Sequence, residues 1–415
     1  MDVLKFAWIK LTPTQALKSC GKLEKAFFET TYRLVYITGL STFECGIFYA
    51  IYSRIIKTII GLFICAEIWN LVSETDSLDG IIANINVTII HIIAVYRYRN
   101  MASNKLFYKK LAASTEVANF DVSTKERKRL VDFWASENEK YLKLLLTLGM
   151  CTLSIWYVYP LVDGVEYNLV VTMRLPYDFR NPTLYPPTYL ATVLAFNEIG
   201  FFVMTNDIIM QAHLIHLICQ YAVLANCFEN IVTDCSYKEI NKRSRYKNLN
   251  SEKFKMKYLK RFDNLIDQHK FILKNSMKLR NTLSLPMLCQ LASSGMLICL
   301  AGYQVALTVK MSITKFLASL LYLSYNVFEL FIFCRWCDEI KFQSENISNA
   351  VYCSNWESGV ALMRGVRPRI MLVIARAQKS LALSAGGFFD LSLVTFTTLM
   401  KTSYSMLTVL LRFQD

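Results

Sequence analysis

Charge is scarce in this 415-residue sequence, and the short motifs of common enzymes are missing from it. Asp, Glu, Lys and Arg make up only 19% of the residues, whereas 54% are apolar and 13% are aromatic. Such a chain is too apolar for an ordinary soluble domain of this length, so we predict several membrane spans. It contains no phosphate-binding loop, hydrolase nucleophile elbow, kinase motif set or zincin histidine pair. We therefore expect that it is not an enzyme.

Internal repeats, low-complexity tracts and long Gly/Ser linkers are also lacking. The lack of a repeat disfavours a transporter built from two inverted halves. We expect no cleavable signal peptide, because Lys residues interrupt the N-terminal stretch at positions 5, 10, 18, 22 and 25. The first membrane span is then expected to serve as the insertion signal.

Two pairs of metal-ligating residue types lack the partners that a metal site needs. Cys334 and Cys337 have the spacing of a redox or zinc motif, but no second Cys/His pair stands at a suitable distance. His213 and His216 would share one face of a helix without an acidic or Cys partner, which favours a packed histidine pair. We expect no metal site and no cofactor.

Seven stretches are apolar enough to be considered as membrane-spanning helices. They are Ile55 to Val72, Ile81 to Tyr96, Leu142 to Val162, Tyr189 to Ile209 with an extension to Cys227, Leu283 to Val309, Phe316 to Cys334, and Phe388 to Leu411. The first two are the weakest, because one contains Lys57 and Glu67 and the other is short. The predicted fold is therefore an all-α bundle of seven transmembrane helices.

The basic residues behind the net charge of +14 segregate by loop. Seven Lys and Arg residues precede residue 55, eleven lie in 97–143, fourteen in 238–280 and seven in 335–379, whereas the intervening loops carry at most two each. By the positive-inside rule the N-terminus and these loops are cytoplasmic, and the C-terminus is extracellular. This orientation is the opposite of that of a G-protein-coupled receptor. Such a distribution favours membrane lipid over nucleic acid as the partner of the basic loops.

Apolar residues at helical spacing also occur within the basic loop 238–280. They predict an amphipathic helix that extends a span into the cytosol. A solvated basic face near anionic lipid and a partner-binding surface are both compatible with this pattern.

The segment after the sixth span carries a specific residue pattern over about 75 positions. It comprises Phe331, Cys334, Glu339, Ser344, Glu345, Ala350, Tyr352, Trp356, Arg376, Gln378, Lys379, Phe388, Phe389, Ser392, Leu393, Phe396, Lys401, Ser403, Tyr404 and Ser405. This pattern resembles that of the insect odorant receptor family, although Met406 and Leu407 replace an aromatic pair that is common in the family's tail. The chain looks like an odour-specific tuning subunit, not the co-receptor.

The resemblance implies an odorant-gated, non-selective cation channel that works with the obligate odorant receptor co-receptor in a heterotetramer. Such a receptor would lie in the plasma membrane of olfactory sensory neuron dendrites and bind a small, volatile, apolar odorant. A gustatory-type chemoreceptor of the same superfamily is the alternative, and a G-protein-coupled receptor is disfavoured by the orientation.

Candidate ligand-binding residues lie in the outer halves of the spans. Gly149, Thr152 and Trp156 share a face of the third span, and Tyr322 and Tyr325 share a face of the sixth. Spacing alone would equally describe helix packing. The resemblance implies an odorant pocket among the second, third, fourth and sixth spans, which adds Ile85, Thr88, Val193, Phe196 and Asn197 to the candidates.

A polar stripe runs along one face of the last span. It comprises Thr395, Thr398, Thr402, Ser405, Val409 and Arg412, at steps of three and four residues. Hydroxyl residues in a span also bond to their own backbone or join helices. The resemblance implies that this stripe lines an aqueous pore, with Val409 as the gate and Leu407 as the next candidate.

These interpretations divide the chain into four regions. Residues 1–54 form a cytoplasmic N-terminal segment, and 55–334 form spans one to six with the odorant pocket in their outer half. Residues 335–387 form a cytoplasmic anchor through which the subunits assemble, and 388–415 form the pore-lining seventh span.

Overall fold

A computed structural model describes residues 10–44, 46–73, 78–117, 120–162, 167–236, 252–309, 312–357, 360, 363 and 365–412. Residues 74–77, 163–166 and 310–311 lie outside these ranges, and they belong to the three loops that are predicted to be extracellular. So do residues 1–9 and 413–415, together with 237–251, most of which belong to the predicted basic loop.

The described chain is almost entirely helical. In chain order its helices are α1 (Gln15–Lys18), α2 (Lys22–Ile37), α3 (Ile47–Ser73), α4 (Leu78–Ser103), α5 (Lys105–Ala112), α6 (Lys125–Val162), α7 (Tyr185–Glu229), α8 (Ile231–Ser236), α9 (Glu252–Thr308), α10 (Ile313–Tyr352), α11 (Val366–Ala377) and α12 (Leu393–Arg412), with a 3-10 turn at Ala113–Thr115. Two short antiparallel strands, β1 (Ser384–Ala385) and β2 (Phe389–Asp390), precede α12.

Each predicted span falls largely within one of the helices α3, α4, α6, α7, α9, α10 and α12. Among the described residues, the first six of these helices are long and apolar enough to cross a membrane. The seventh, α12, is 20 residues long and carries Lys401 and several hydroxyl residues in that length. At 1.5 Å per residue, a helix of about 20 residues reaches across a hydrocarbon core of about 30 Å.

Several helices continue well beyond the predicted spans. The helix α9 has 57 residues, so the basic amphipathic stretch from Glu252 onward is continuous with the fifth span. This confirms the helical extension that the apolar spacing predicted. Likewise, α3 begins at Ile47, eight residues before the predicted start of the first span.

The helix α7 forms the centre of the bundle. In its most apolar 18-residue stretch 94% of the residues are buried, compared with 22% in α3. The outer face of α3 exposes large apolar side chains such as Phe48 and Leu62. In a membrane protein such a face contacts lipid, whereas a helix surrounded by protein has no lipid-facing side.

A tight hairpin separates the predicted anchor from the last helix. Gly386 and Gly387 have φ angles of 62° and 78°, which only glycine adopts readily, and the Leu391 amide donates to the Leu383 carbonyl across the turn. The predicted seventh span began at Phe388, but Phe388 and Phe389 belong to this hairpin and the helix begins at Leu393. Apolar character alone did not reveal the turn that the two glycines impose.

The last helix, α12, packs against α9 through small residues. A Cβ atom at Gly295 would lie 2.5 Å from Leu399 Cδ2, and one at Gly302 would lie 3.0 Å from Leu407 Cδ2. The Ser403 hydroxyl also donates to the Gly295 carbonyl over 2.8 Å. Small residues allow helices to approach closely where no hydrophobic effect drives their association.

A buried arginine links the helices on the side of the bundle that is predicted to be cytoplasmic. The Arg127 side chain is fully buried, and its Nη1 lies 2.7 Å from Asp121 Oδ2. Arg127 also pairs with Asp234 and donates from Nε to Asn226, while Arg261 pairs with Asp121. Two arginines and two aspartates thus neutralise one another where α6, α7, α8 and α9 meet.

Candidate functional site

A mostly apolar cavity of about 70 Å³ lies among α4, α6, α7 and α10. Its lining consists of Val87, Ile90, His91, Gly149, Thr152, Leu153, Trp156, Phe196, Gly200, Val203, Met204, Tyr322 and Tyr325. These four helices correspond to the second, third, fourth and sixth predicted spans. A concave, mostly apolar site with a few polar groups is the usual form of a small-molecule pocket.

Six of the ten predicted ligand-binding residues line this one cavity: Gly149, Thr152, Trp156, Phe196, Tyr322 and Tyr325. The structure therefore brings together the candidates that were chosen from separate spans. A Cβ atom at Gly149 would lie 2.2 Å from Met204 Sδ, so this wall has no room for a side chain unless Met204 moves.

Aromatic rings form one wall of the cavity. The Trp156 indole stacks on Phe196 at a centroid distance of 5.3 Å and an interplanar angle of 15°. Tyr322 lies 5.8 Å from the same indole at 50°. Stacked and tilted pairs of this kind hold each other's orientation and present large apolar surfaces to a ligand.

The other four candidates lie outside the cavity lining. The Tyr157 hydroxyl donates to Asn197 over 2.9 Å, and Thr88 donates to Asn84 over 2.9 Å. Val193 packs at the edge of the core that contains Phe196, and Ile85 packs near the C-terminal end of α9 with Tyr303. The structure therefore places these four on the predicted helices but at other depths or on other faces.

The hydroxyl groups around the cavity already donate hydrogen bonds. Thr152 donates to the Leu148 carbonyl, Tyr322 to the Asn86 carbonyl and Tyr325 to Asp207 Oδ2, each over 2.9 Å. The Trp156 indole nitrogen is buried and has no hydrogen-bond partner in the described part of the chain.

An ionisable pair at the cavity wall was missed by the sequence interpretation. His91 lines the cavity, and its Nδ1 lies 2.9 Å from Oε2 of Glu67 on α3. Both side chains are buried, with Glu67 fully enclosed. In the sequence, Glu67 only weakens the prediction of the first span. An ionisable residue within a span is itself a sign of function, and it predicts a polar partner on a neighbouring helix.

A second buried charge cluster adjoins the cavity through Tyr325. Arg97 Nη2 lies 2.6 Å from Asp207 Oδ1, and Arg97 Nη1 lies 3.1 Å from Glu329 Oε1. Gln290 of α9 donates to Glu329 over 2.9 Å and accepts from Arg97 over 3.1 Å. The cluster thus joins α4, α7, α9 and α10 beneath the cavity. Buried charges within a bundle persist only when they are paired in this way.

The predicted pore stripe lies on the outward face of α12. Thr398, Thr402, Ser405 and Arg412 are exposed, Thr395 is half-buried, and Val409 has 52% of its surface exposed. Thr402 donates to the Thr398 carbonyl, and Ser405 to the Lys401 carbonyl, each over 3.0 Å. These hydroxyls return hydrogen bonds to their own helix while their oxygen atoms stay on its outer face.

The opposite face of α12 packs on the bundle. Leu399 and Leu407 contact α9, and Phe396 packs against Phe331 with a ring separation of 5.7 Å. Leu407 therefore lies on the packed side, whereas Val409 lies on the free side. Of the two gate candidates, only Val409 shares the exposed face with the stripe.

The two suggestive Cys and His pairs are packed in the core. His213 lies against Phe28 with a centroid separation of 4.8 Å, and the His216 ring bonds with Thr115 and Gln220. Cys334 and Cys337 are free and buried. In the described residues, no group of three or more His, Cys, Asp or Glu is placed to hold a metal ion.

Comparison with known proteins places these features in a family. The sequence model of the 7tm Odorant receptor family matches residues 77–404. The chain is 22% identical to odorant receptor 13a of Drosophila melanogaster over 307 residues, which cover 70% of this chain and 68% of the relative. It is 20% identical to odorant receptor 94a of the same species over 333 residues, covering 78% and 77% of the two chains. A shorter match to odorant receptor 2a, 31% identical, covers 24% of each chain.

The fold is similar to that of a solved insect receptor. The structure of the olfactory receptor OR5 from Machilis hrabei in complex with eugenol superposes with a TM-score of 0.79 at 18% identity. The match covers 94% of this chain and 98% of the other, and a second structure of the same receptor gives a TM-score of 0.78. The predicted all-α fold of seven membrane helices is thereby confirmed.

Proposed function

The chain belongs to the 7tm odorant receptor family, and from this premise we propose that it is an odorant-gated, non-selective cation channel subunit. It acts with the obligate odorant receptor co-receptor in a heterotetramer. The observation that carries the ligand-binding part of the proposal is that six candidate residues from three of the predicted spans line one apolar cavity.

The proposed ligand is a small, volatile, apolar odorant. Dispersion contacts with Trp156, Phe196 and the two tyrosines supply most of the binding energy in such a site. The complex of the structurally similar OR5 with eugenol supports this class of ligand. A free volume of about 70 Å³ favours compact molecules or a shift of flexible side chains such as Met204 on binding.

The proposed pore is formed by the exposed stripe of α12 around a tetramer axis. A ring of Val409 side chains would close the pore by dewetting, because a cation that loses its water shell in a narrow apolar neck faces a large energetic penalty. Arg412, one turn further along, would point away from the axis or pair with acidic residues of other subunits, because a cation pore disfavours an axial positive charge.

A continuous set of contacts connects the proposed cavity with the proposed pore. Tyr325 lines the cavity and bonds to Asp207, which pairs with Arg97. Arg97 bonds to Gln290 of α9, and about one turn later Gly295 of α9 accepts from Ser403 of α12. We propose that ligand binding biases two arrangements of this cluster and thereby shifts α9 against the pore helix. Such a two-state element is what physical coupling between sites requires.

The proposed location is the plasma membrane of olfactory sensory neuron dendrites, with the N-terminus in the cytosol. The segregation of basic residues supports this orientation. The region 335–387 is proposed as the cytoplasmic anchor for assembly. Its exposed apolar side chains, such as Phe342, Tyr352 and Leu372, are available for contacts between subunits.

The experiment that tests the proposal records odorant-panel currents in cells with and without the co-receptor while G-protein signalling is blocked. The expected result is a rapid cation current that requires the co-receptor and persists under the block. A current abolished by the block would contradict direct gating and favour a G-protein-coupled receptor. A C-terminal tag that stains in unpermeabilised cells would support the inverted orientation independently.

A further inference from the structure

Two basic residues near the start of the first membrane helix have no role in the proposed cavity or pore. Lys57 weakens the sequence prediction of this span, and Arg54 lies about one turn before it on α3. Both side chains are exposed, and neither forms an ion pair with a described residue. The Lys57 ammonium lies 5.5 Å from the centre of the Tyr98 ring on α4. These two cations therefore face the surroundings of the bundle.

The length of α3 places both cations at the depth of lipid headgroups. From Arg54 to Ser73, where α3 ends, the helix rises about 30 Å, which is the thickness of a hydrocarbon core. If the end of α3 marks one boundary of this core, Arg54 lies at the other boundary, next to the predicted span start at Ile55. Lys57 is one turn deeper, and its long side chain can reach back to the boundary. This end of α3 is predicted to be cytoplasmic, and the cytoplasmic leaflet carries anionic lipids.

A groove of about 430 Å³ adjoins the two cations. Its lining consists of Ser41, Glu44, Tyr49, Ala50, Ser53, Arg54, Lys57 and Thr58. The carboxylate in this lining is already engaged, because Glu44 Oε1 accepts from the Thr14 hydroxyl over 2.6 Å and from the Gln15 amide over 2.8 Å. Arg54 and Lys57 thus remain as cations for an anionic group, and the groove has room for a lipid headgroup.

An exposed apolar face continues from the groove along α3. The side chains of Ile51, Ile55 and Leu62 are each more than half exposed. At 100° per residue, these three and Arg54 lie within an arc of about 100°. Gly61 lies two turns after Arg54 on nearly the same side, and a Cβ atom added there would have nothing within 4 Å. An acyl chain therefore has an open path along the helix below a headgroup at Arg54.

We propose that this groove binds an anionic phospholipid, whose phosphate contacts Arg54 and Lys57 and whose acyl chains follow the exposed face of α3. A guanidinium group offers several N–H donors to phosphate oxygens, and the lysine adds a second positive charge. The continuity of the cations with the apolar face favours a lipid over a soluble phosphate, which would use the cations alone. This site is separate from the odorant cavity and the pore, so it goes beyond the proposed function.

The test measures binding of a fluorescent phosphatidic acid to the purified full-length protein in a neutral detergent. Unlabelled dioleoyl phosphatidic acid, dioleoyl phosphatidylcholine and glycerol phosphate serve as competitors. Phosphatidic acid should compete best, because phosphatidylcholine has no net charge and glycerol phosphate has no acyl chains. At about 1 kcal/mol for each basic residue near a lipid headgroup, loss of both cations should weaken binding about 30-fold.

Two double variants separate the groove from a diffuse attraction by positive charge. Arg54→Gln combined with Lys57→Gln removes both cations of the groove and should give the full loss. Lys128→Gln combined with Arg129→Gln removes the same charge from exposed positions on α6 and should change the affinity little. Both pairs are exposed, so the folded state should tolerate either change.

A third variant tests the path of the acyl chain. Gly61→Leu fills the open side of α3, keeps both cations and replaces glycine by a better helix former. It should weaken the binding of phosphatidic acid and leave the weak competition by glycerol phosphate unchanged.

Three results would overturn the inference. The first is equal competition by phosphatidic acid and phosphatidylcholine, which would remove the role of charge. The second is an equal loss of affinity in the two double variants, which would indicate diffuse attraction. The third is competition by glycerol phosphate as strong as that by the lipid, which would assign the groove to a soluble phosphate.

Discussion

Replacement of Trp156 by Ala tests the ligand cavity most sharply. The indole lines the cavity and is held by its stack on Phe196 and its contact with Tyr322. If a ligand covers roughly 40 to 100 Å² of this ring, loss of the ring removes about 1 to 2.5 kcal/mol of binding free energy at about 25 cal/mol per Å². At about 1.4 kcal/mol per factor of ten, odorant potency should fall by about 5- to 60-fold.

The assay is the half-maximal odorant concentration from current recordings, normalised to surface labelling of the receptor. Because truncation of a packed aromatic residue also destabilises a fold, Trp156→Phe serves as a milder variant that keeps most of the apolar contact. Phe133→Ala is the matched control on the same helix, since Phe133 is exposed and far in sequence from the cavity turns. Unchanged potency for Trp156→Ala at normal surface levels would refute the cavity as the ligand site.

Two further predictions concern the gate and the predicted cytoplasmic charge cluster. Val409→Gln should admit water into the proposed closed neck of the pore and raise the current without odorant. Leu407 lies on the face packed against Gly302, so Leu407→Gln should instead lower surface expression. An unchanged basal current in channels proven to contain the Val409 variant would contradict the gate. Burial alone would raise the pKa of Asp121, but hydrogen bonds with Ser123 and the charges of Arg261 and Arg127 lower it below its ordinary value. Asp121→Asn should therefore lower the stability of the purified protein near neutral pH. The difference in stability from wild type should disappear as the pH falls from the ordinary Asp pKa through the lowered pKa of the folded state. A stability difference in thermal denaturation that does not change with pH would contradict this linkage.

The helices were predictable because their signals are local. Apolar runs of membrane length mark the spans, and the spacing in the basic loop predicted the long helix that ends at Thr308. The hairpin at Gly386 was missed because apolar residues on both sides masked a turn that only the backbone angles reveal.

The cavity was partly predictable because large aromatic residues and a glycine at helical spacing mark a face. Trp156, Tyr322 and Tyr325 were found in this way, whereas Thr88 lies next to the lining residue Val87 in sequence but about 100° around the helix. The pairing of Glu67 with His91 depends on how α3 and α4 are rotated against each other. One sequence does not specify that rotation, although a single acidic residue within a span predicts a polar partner on a neighbouring helix.

The central claim is that one assembly contains both the odorant site and the pore. Its most direct test is a recording from lipid bilayers that contain only the purified receptor and its co-receptor, with no G protein and no nucleotide. The expected result is an odorant-evoked, cation-selective current whose odorant sensitivity falls with Trp156→Ala and whose basal level rises with Val409→Gln. A bilayer with proven incorporation of both subunits that stays silent to every odorant active in cells would contradict it.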